Sequence, residues 1–192
     1  PVGLRRVAPF VAAGGLRVSI PALLEGVRRW EAAGARVGAQ WLAAQDGGGV
    51  PAELAGAAMA MLLRGADEAT VDRVIARAVG SDDAIVRYRL LGALGHAPTA
   101  LLTSRVLPLM ADPRLRVSEV FSPLGAAMER SETRAAAFGW LEANADAAFA
   151  RVSVNGRAGT PWIGARFCRR EDQERVRAFF APRLAAVNGA EA

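Results

Sequence analysis

His96 and Cys168 are the only histidine and the only cysteine in the 192 residues, and the chain has no lysine. That scarcity decides much of the chemistry. A zinc hydrolase motif of the His-Glu-x-x-His kind needs two histidines on one helical face, so it cannot form here. A Gly-rich phosphate loop needs its lysine and is excluded in the same way. Cys168 stands among Arg166, Arg169 and Arg170, a cationic setting of the kind that activates thiols. A nucleophile also needs a base held against it, and the sequence places none. His96 follows Gly95 and precedes Pro98, as a loop residue that is solvated or locally hydrogen-bonded. The acid pairs Asp82-Asp83 and Glu171-Asp172 fall at expected helix starts. Negative charge there meets the positive end of the helix dipole, so they read as caps and not as general acid and base. Trp140, Trp162, Phe179 and Phe180 read as core, not as a stacking platform. No metal or cofactor site is expected within these residues.

The elements that must position these groups are helices. Half of the chain is apolar, at 52%, with abundant Ala and Leu and few β-branched residues, which favours helix over strand. Apolar stripes at i, i+3, i+4 and i+7 recur. They run through Leu54, Ala57, Ala58, Met61 and Leu62, then through Val71, Val74, Ile75, Ala78 and Val79. Val86, Leu90, Ala93 and Leu94 carry the next stripe, and Leu102, Val106, Leu109 and Met110 the one after. Pro108 should end or kink that last helix.

Gly65, Gly80 and Gly95 stand 15 residues apart, where left-handed C-caps would fall. Asp67, Ser81 and either Thr99 or Pro98 are expected to open the segments that follow, as caps or first-turn residues. Two helices in about 30 residues is the rhythm of a helical-hairpin array. The expected fold is therefore an all-α solenoid of stacked antiparallel hairpins, HEAT- or armadillo-like, with about 10–12 helices.

The region from Ile20 to Ala44 reads as one or two helices that Gly34 and Gly38 could break. Residues 46–50 read as a loop and a possible break within a single domain covering 1–192. Val117 to Met128 reads as a helix disturbed by Ser122-Pro123. Ser131 caps a helix reaching Asn144, Asp146 to Val152 forms a short one, and Val154-Asn-Gly156 is a turn. Residues 172–187 close the fold with Val176, Phe179, Phe180 and Leu184 on one face.

All 24 basic residues are arginine, against 19 acids, for a net charge of +5. Guanidinium suits phosphate and carboxylate. Here the arginines are dispersed among acids, and doublets such as Arg28-Arg29 and Arg169-Arg170 are short, so a coding preference for arginine explains them and nucleic acid is not an expected partner. No apolar run approaches the roughly 20 residues that span a bilayer, so no membrane partner is expected. A lone cysteine cannot form an internal disulfide, so the fold needs no oxidising compartment, and a cytoplasmic location is favoured. The chain opens on Pro1 and reads as a fragment of a longer polypeptide.

The last third carries motifs with a recognisable order. Trp140-Leu-Glu-Ala-Asn-Ala-Asp146 follows a small-residue stretch. Phe167-Cys-Arg-Arg-Glu-Asp172 opens the closing helix, and Phe179-Phe-Ala-Pro-Arg183 ends it. Upstream, Arg89-Leu-Leu-Gly-Ala-Leu94 precedes Leu101, Leu102, Val106 and Leu107. Together they resemble the C-terminal helical domain of zinc aminopeptidases of the aminopeptidase N and puromycin-sensitive type. The resemblance covers residues 82–183, and departs at Ala145, where the family has a second tryptophan.

The resemblance implies that zinc and the catalytic glutamate lie in an upstream catalytic domain of the same polypeptide, together with the motif that binds the peptide N-terminus. It also implies a non-catalytic role here: covering the catalytic domain and limiting or positioning peptide substrates in an internal cavity. Arg87, Arg89 and His96, near one hairpin, are the candidates to meet a peptide C-terminus. The alternative is a stand-alone HEAT-like scaffold that binds a protein or nucleic-acid partner.

Overall fold

The computed structural model describes residues 20–44, 47–152, 157 and 159–184, and every regular element within them is helical. The first, α1 (Ile20–Ala43), runs unbroken through Gly34 and Gly38. The reason is contact distance. A Cβ on Gly38 would stand 2.4 Å from the Ala58 carbonyl oxygen, and one on Gly34 would stand 2.0 Å from Met61 Sδ. Both neighbours belong to α2 (Ala52–Arg64). The glycines thus let two helices approach closely, at about 1 kcal/mol each in helix propensity. The turn between α1 and α2 uses glycine differently. Gly47, Gly48 and Gly49 have φ of 84°, 61° and 74°, a left-handed run that residues with a Cβ avoid.

The chain continues through α3 (Glu68–Gly80), α4 (Ala84–Leu94) and α5 (Ala100–Val106), which tightens into a 3-10 segment at Leu107–Ala111. Then follow α6 (Ser122–Glu129), α7 (Arg134–Ala143), α8 (Ala145–Ala150), a second 3-10 segment at Thr160–Arg166, and α9 (Arg170–Leu184). From α2 to α7, packing connects a helix to the one two places on. α2 lies against α4 and α4 against α6; α3 lies against α5 and α5 against α7. The pairs α1–α2, α3–α4 and α6–α7 hold sequence neighbours together. The result is two stacked layers, a solenoid-like all-α domain, with the core between them.

Local chemistry explains most boundaries and corrects several expectations. Asp67 accepts a hydrogen bond from the Thr70 amide at 2.8 Å, and Thr99 accepts one from the Leu102 amide at 3.2 Å. α4 is capped by Asp83, which accepts from the Ile85 amide at 2.7 Å, and not by Ser81. Gly65 and Gly95 have φ of −117° and −64°, and Gly80 stays inside α3, so none is a left-handed cap. Pro123 does not disturb a longer helix; it starts α6, in the first turn, where its missing N–H removes no helical bond. Ser131 caps nothing, since α7 begins after Thr133, whose hydroxyl donates to the Ala127 carbonyl at 2.8 Å. The turn expected at 154–156 lies outside the described residues.

The core also departs from the expected stripes in one helix. On α2 the buried residues are Ala55, Ala58, Met59 and Leu63, whereas Leu54 and Ala57 are exposed. α2 packs on α1 along one side and on α4 along another, so no single stripe describes it. At the C-terminal end Phe138 is fully buried and meets Phe167 and Phe179 edge-on, with ring centroids 5.4 and 5.6 Å apart. Phe180 is buried as expected, Trp140 is half-buried, and Trp162 is 80% exposed. Trp162 is therefore no core residue. Its 3-10 segment buries Thr160 and Gly164 instead.

The repeat is clearest in the arginines. Arg64 reaches Glu31, Arg105 reaches Asp72 and Arg175 reaches Glu142, each across 33 residues. Arg130 Nη1 donates to the His96 carbonyl at 2.9 Å across 34 residues, and Arg77 Nη1 donates to the Leu42 carbonyl at 2.8 Å across 35. These side chains pin one helical unit to the unit before it. Exposed ion pairs of this kind contribute only about 0–1 kcal/mol each. The bonds to carbonyls at helix C-terminal ends also satisfy acceptors that the helix leaves open. A coding preference alone does not account for such spacing.

Candidate functional site

α4 divides the three candidate residues. With 3.6 residues per turn, Ile85, Tyr88, Arg89 and Gly92 share one side of the helix and Arg87 lies on the other. Ile85 and Tyr88 are exposed, and a Cβ on Gly92 would meet nothing within 4 Å. His96, just past the helix end, continues that row. The surface adjoins α2, because Arg89 Cγ would lie 3.8 Å from a Cβ built on Gly56. Leu54 and Ala57 are exposed on α2, and Gly125 is exposed and open on α6. The α2–α4–α6 layer thus presents small residues interrupted by a few large apolar side chains. Arg89 has no hydrogen-bond or ion-pair partner among the described residues.

Arg87 is turned inward and is 7% exposed. Its Nε donates to both carboxylate oxygens of Glu119 at 3.2 Å, and its Nη1 donates to the Ser81 carbonyl at 2.7 Å. Glu119 also accepts the Arg116 amide at 3.0 Å. Burial acts to raise the Glu119 pKa. The Arg116 amide and the Arg87 guanidinium outweigh it and hold the carboxyl below its usual range. This pair ties the start of α4 to the segment that leads into α6. Arg87 is therefore separated from the open face that carries Arg89.

His96 is half-buried. Its Nδ1 is enclosed without a hydrogen-bond partner. Burial lowers its pKa, and the positive charges of Arg64 and Arg130 lower it further, against a weaker opposing pull from Glu129. Both effects favour the neutral ring. Arg64 and Arg130 end α2 and follow α6 about one unit before and after His96. The two guanidinium groups flank the ring at the C-terminal ends of neighbouring helices, where positive charge is favoured. Sequence reasoning found His96 but missed Arg64, Arg130 and Tyr88. The signal for the two arginines was the unit spacing, which apolar stripes do not carry.

Among the described residues no group of three His, Cys, Asp or Glu side chains comes together as a metal site. Asp83 serves as the α4 cap, and Glu171 and Asp172 occupy the first turn of α9. Cys168 is exposed, and its sulfur lies 3.9 Å from the Arg166 carbonyl. No described helix is long and apolar enough to cross a membrane.

The α2–α4–α6 layer is a helical wall with an open face, and the chain's sequence matches the family model described as ERAP1-like C-terminal domain over residues 24–191. The chain belongs to that family. It is a C-terminal helical domain of larger aminopeptidases, which implies a catalytic domain upstream. No curated protein matches the chain. Within this ERAP1-like domain, the motifs at Trp140–Asp146 and Phe179–Arg183 belong to the α7–α8 and α9 packing, and Asp146, Phe180 and Arg183 line a small pocket together with Phe149 and Arg157.

Proposed function

We propose that this ERAP1-like C-terminal domain covers the catalytic domain of a zinc metallo-aminopeptidase and limits or positions peptides in the cavity between them. Zinc belongs, in this reading, to that upstream domain. The open face of α2, α4 and α6 is the wall that meets peptide. Arg89 holds the peptide's C-terminal carboxylate, and His96 lines the same row as a neutral donor or acceptor. The observation that carries the reading is Arg89 itself, a guanidinium with no partner among the described residues, beside exposed Tyr88 and Ile85 on a surface built largely of small residues. Guanidinium binds carboxylate through paired N–H donors. Arg87 does not take part, because Glu119 already occupies it.

Peptide titration of the 192-residue chain, followed by NMR, tests this. A peptide with a free C-terminus is expected to shift the amides of α2, α4 and α6, and its C-terminal amide to bind at least roughly tenfold more weakly, in line with loss of a charge-assisted pair. Arg89→Met should remove that difference and leave the fold intact. Equal binding of acid and amide, or an unchanged preference in Arg89→Met, overturns the assignment. Separately, the metal-replete chain is expected to release no free amino acid from a peptide; release would overturn the non-catalytic reading.

A further inference from the structure

A cavity of about 190 Å³ opens between α8 and the end of α9. Its apolar lining is mainly aromatic. Phe149 and Phe180 are buried, and each is fixed by a second ring. Phe149 stacks on Phe121 with centroids 6.2 Å apart, and Phe180 meets Phe179 edge-on at 4.8 Å. Asp146, Arg157 and Arg183 line the same cavity. Arg157 Nε donates to the Val152 carbonyl at 3.1 Å, which holds the guanidinium and leaves its two Nη groups without a partner among the described residues. The Asp146 carboxylate has no hydrogen-bond or ion-pair partner among them either. Arg183 is held along its own helix, where Nη1 donates to the Phe179 carbonyl at 2.7 Å and the guanidinium carbon lies 4.0 Å from the centre of the Phe179 ring. One acid and two arginines thus share a small cavity, yet the acid pairs with neither. A larger cleft of about 550 Å³ at the ends of α1 and α3 differs in this respect. There Asp83 caps α4, and Arg77 donates to the Trp41 and Leu42 carbonyls.

Opposite charges that share an apolar pocket without pairing suit one class of small molecule, a zwitterion with an apolar body. We infer that this cavity binds a free α-amino acid with an apolar side chain, such as leucine. The carboxylate takes the outer edge of Arg157 through paired N–H donors. The ammonium meets Asp146, and the side chain displaces water from Phe149 and Phe180. The volume equals that of about six waters at about 30 Å³ each, which is room for one amino acid. The inference goes beyond the peptide wall and uses none of its residues. A free amino acid is also what an aminopeptidase releases, so under the proposed function the pocket reads product. The binding itself does not rest on that reading.

The test is an NMR titration of the full 192-residue chain with L-leucine and with three probes that each lack one group: leucinamide, isocaproate and glycine. Leucine is expected to shift amides of α8 and α9 with a Kd at or below about 1 mM. Each of the other probes is expected to bind at least roughly tenfold more weakly, since each forfeits a charge-assisted or an apolar contact. Arg157→Met should abolish the advantage of leucine over leucinamide, and Asp146→Asn its advantage over isocaproate. Arg89→Met should change neither. Asp146 is exposed and Arg157 half-buried, so both variants are expected to keep the amide spectrum of the fold. Where one does not, the ranking of the four probes on the unaltered chain decides alone. Unshifted α8 and α9 amides at about 10 mM leucine would overturn the assignment. So would isocaproate or leucinamide binding as tightly as leucine, or an unchanged ranking in both folded variants. The peptide titration reads α2, α4 and α6, so failure of either reading leaves the other standing.

Discussion

The two ends of this domain are built by opposite means. At the C-terminal end, side chains do the work: Phe138, Phe167, Phe179 and Phe180 fill the space under α9, whose outer residues are charged. At the N-terminal end, the absence of side chains does it: Gly34 and Gly38 bring α1 onto α2. The first end presents a largely charged outer surface. The second leaves Val27 and Trp30 exposed. One chain thus uses bulk at one end and closeness at the other, and the two solutions should fail differently.

Truncation at the bulky end should have the largest effect. Phe138→Ala is expected to cost roughly 3–5 kcal/mol on urea unfolding, as for other fully buried aromatics. A loss below about 1 kcal/mol would mean that the aromatic cluster is not what holds α9. Between the two ends, Arg87→Ala strands Glu119 in the interior and should cost about 3 kcal/mol, measured in the same way. Because the Arg87–Glu119 pair ties α4 to the approach to α6, this change should loosen both ends together. An effect confined to one end by hydrogen exchange would break that account.

At the close-packed end, Gly38→Ala places a Cβ against the Ala58 backbone. It should cost roughly 1–3 kcal/mol, with faster exchange limited to α1 and α2. Spread of that effect to α9 would erase the distinction between the ends. The smallest effect is a pH dependence. The His96 pKa lies below its ordinary 6.5 in the folded chain, so the unfolded chain binds more protons as pH falls through 6.5. Stability is therefore full above that value and falls as pH drops from 7 toward 5. His96→Gln is expected to flatten the curve in that window, read by urea midpoints. The depressed carboxylates Asp112 and Glu119 act only at lower pH, through values below their ordinary 3.8 and 4.5.

The class of the fold was legible because burial follows period. Val71, Val74 and Ala78 line one side of α3 as their spacing requires, and Leu102, Val106 and Met110 do so through α5 and the turn after it. The glycines were not legible, because a glycine in a sequence does not say whether it bends the chain or admits a neighbour. Gly34 and Gly38 admit a neighbour; Gly47 to Gly49 bend the chain. α2 was misread for a related reason, since a helix packed on two sides shows no single stripe. Of the candidate site, Arg89 and His96 lie along the open row and Arg87 does not. The difference is one of phase around α4, and Glu119, which holds Arg87 inward, is 32 residues from it in the chain.

The arginine spacing has a consequence for synthesis. In Arg64–Glu31, Arg105–Asp72, Arg130–His96 and Arg175–Glu142, the acceptor always precedes its arginine. Chains emerge from the ribosome N-terminus first, at about 5–20 residues per second. Each of these contacts can therefore close on a partner already made, and each layer is fastened within seconds of its arginine appearing. Arg87 reverses the order and waits for Glu119, so its charge stays open while the next helix pair is still being translated. The domain is in this sense directional in time as well as in space, with one latch left undone until the following turn arrives.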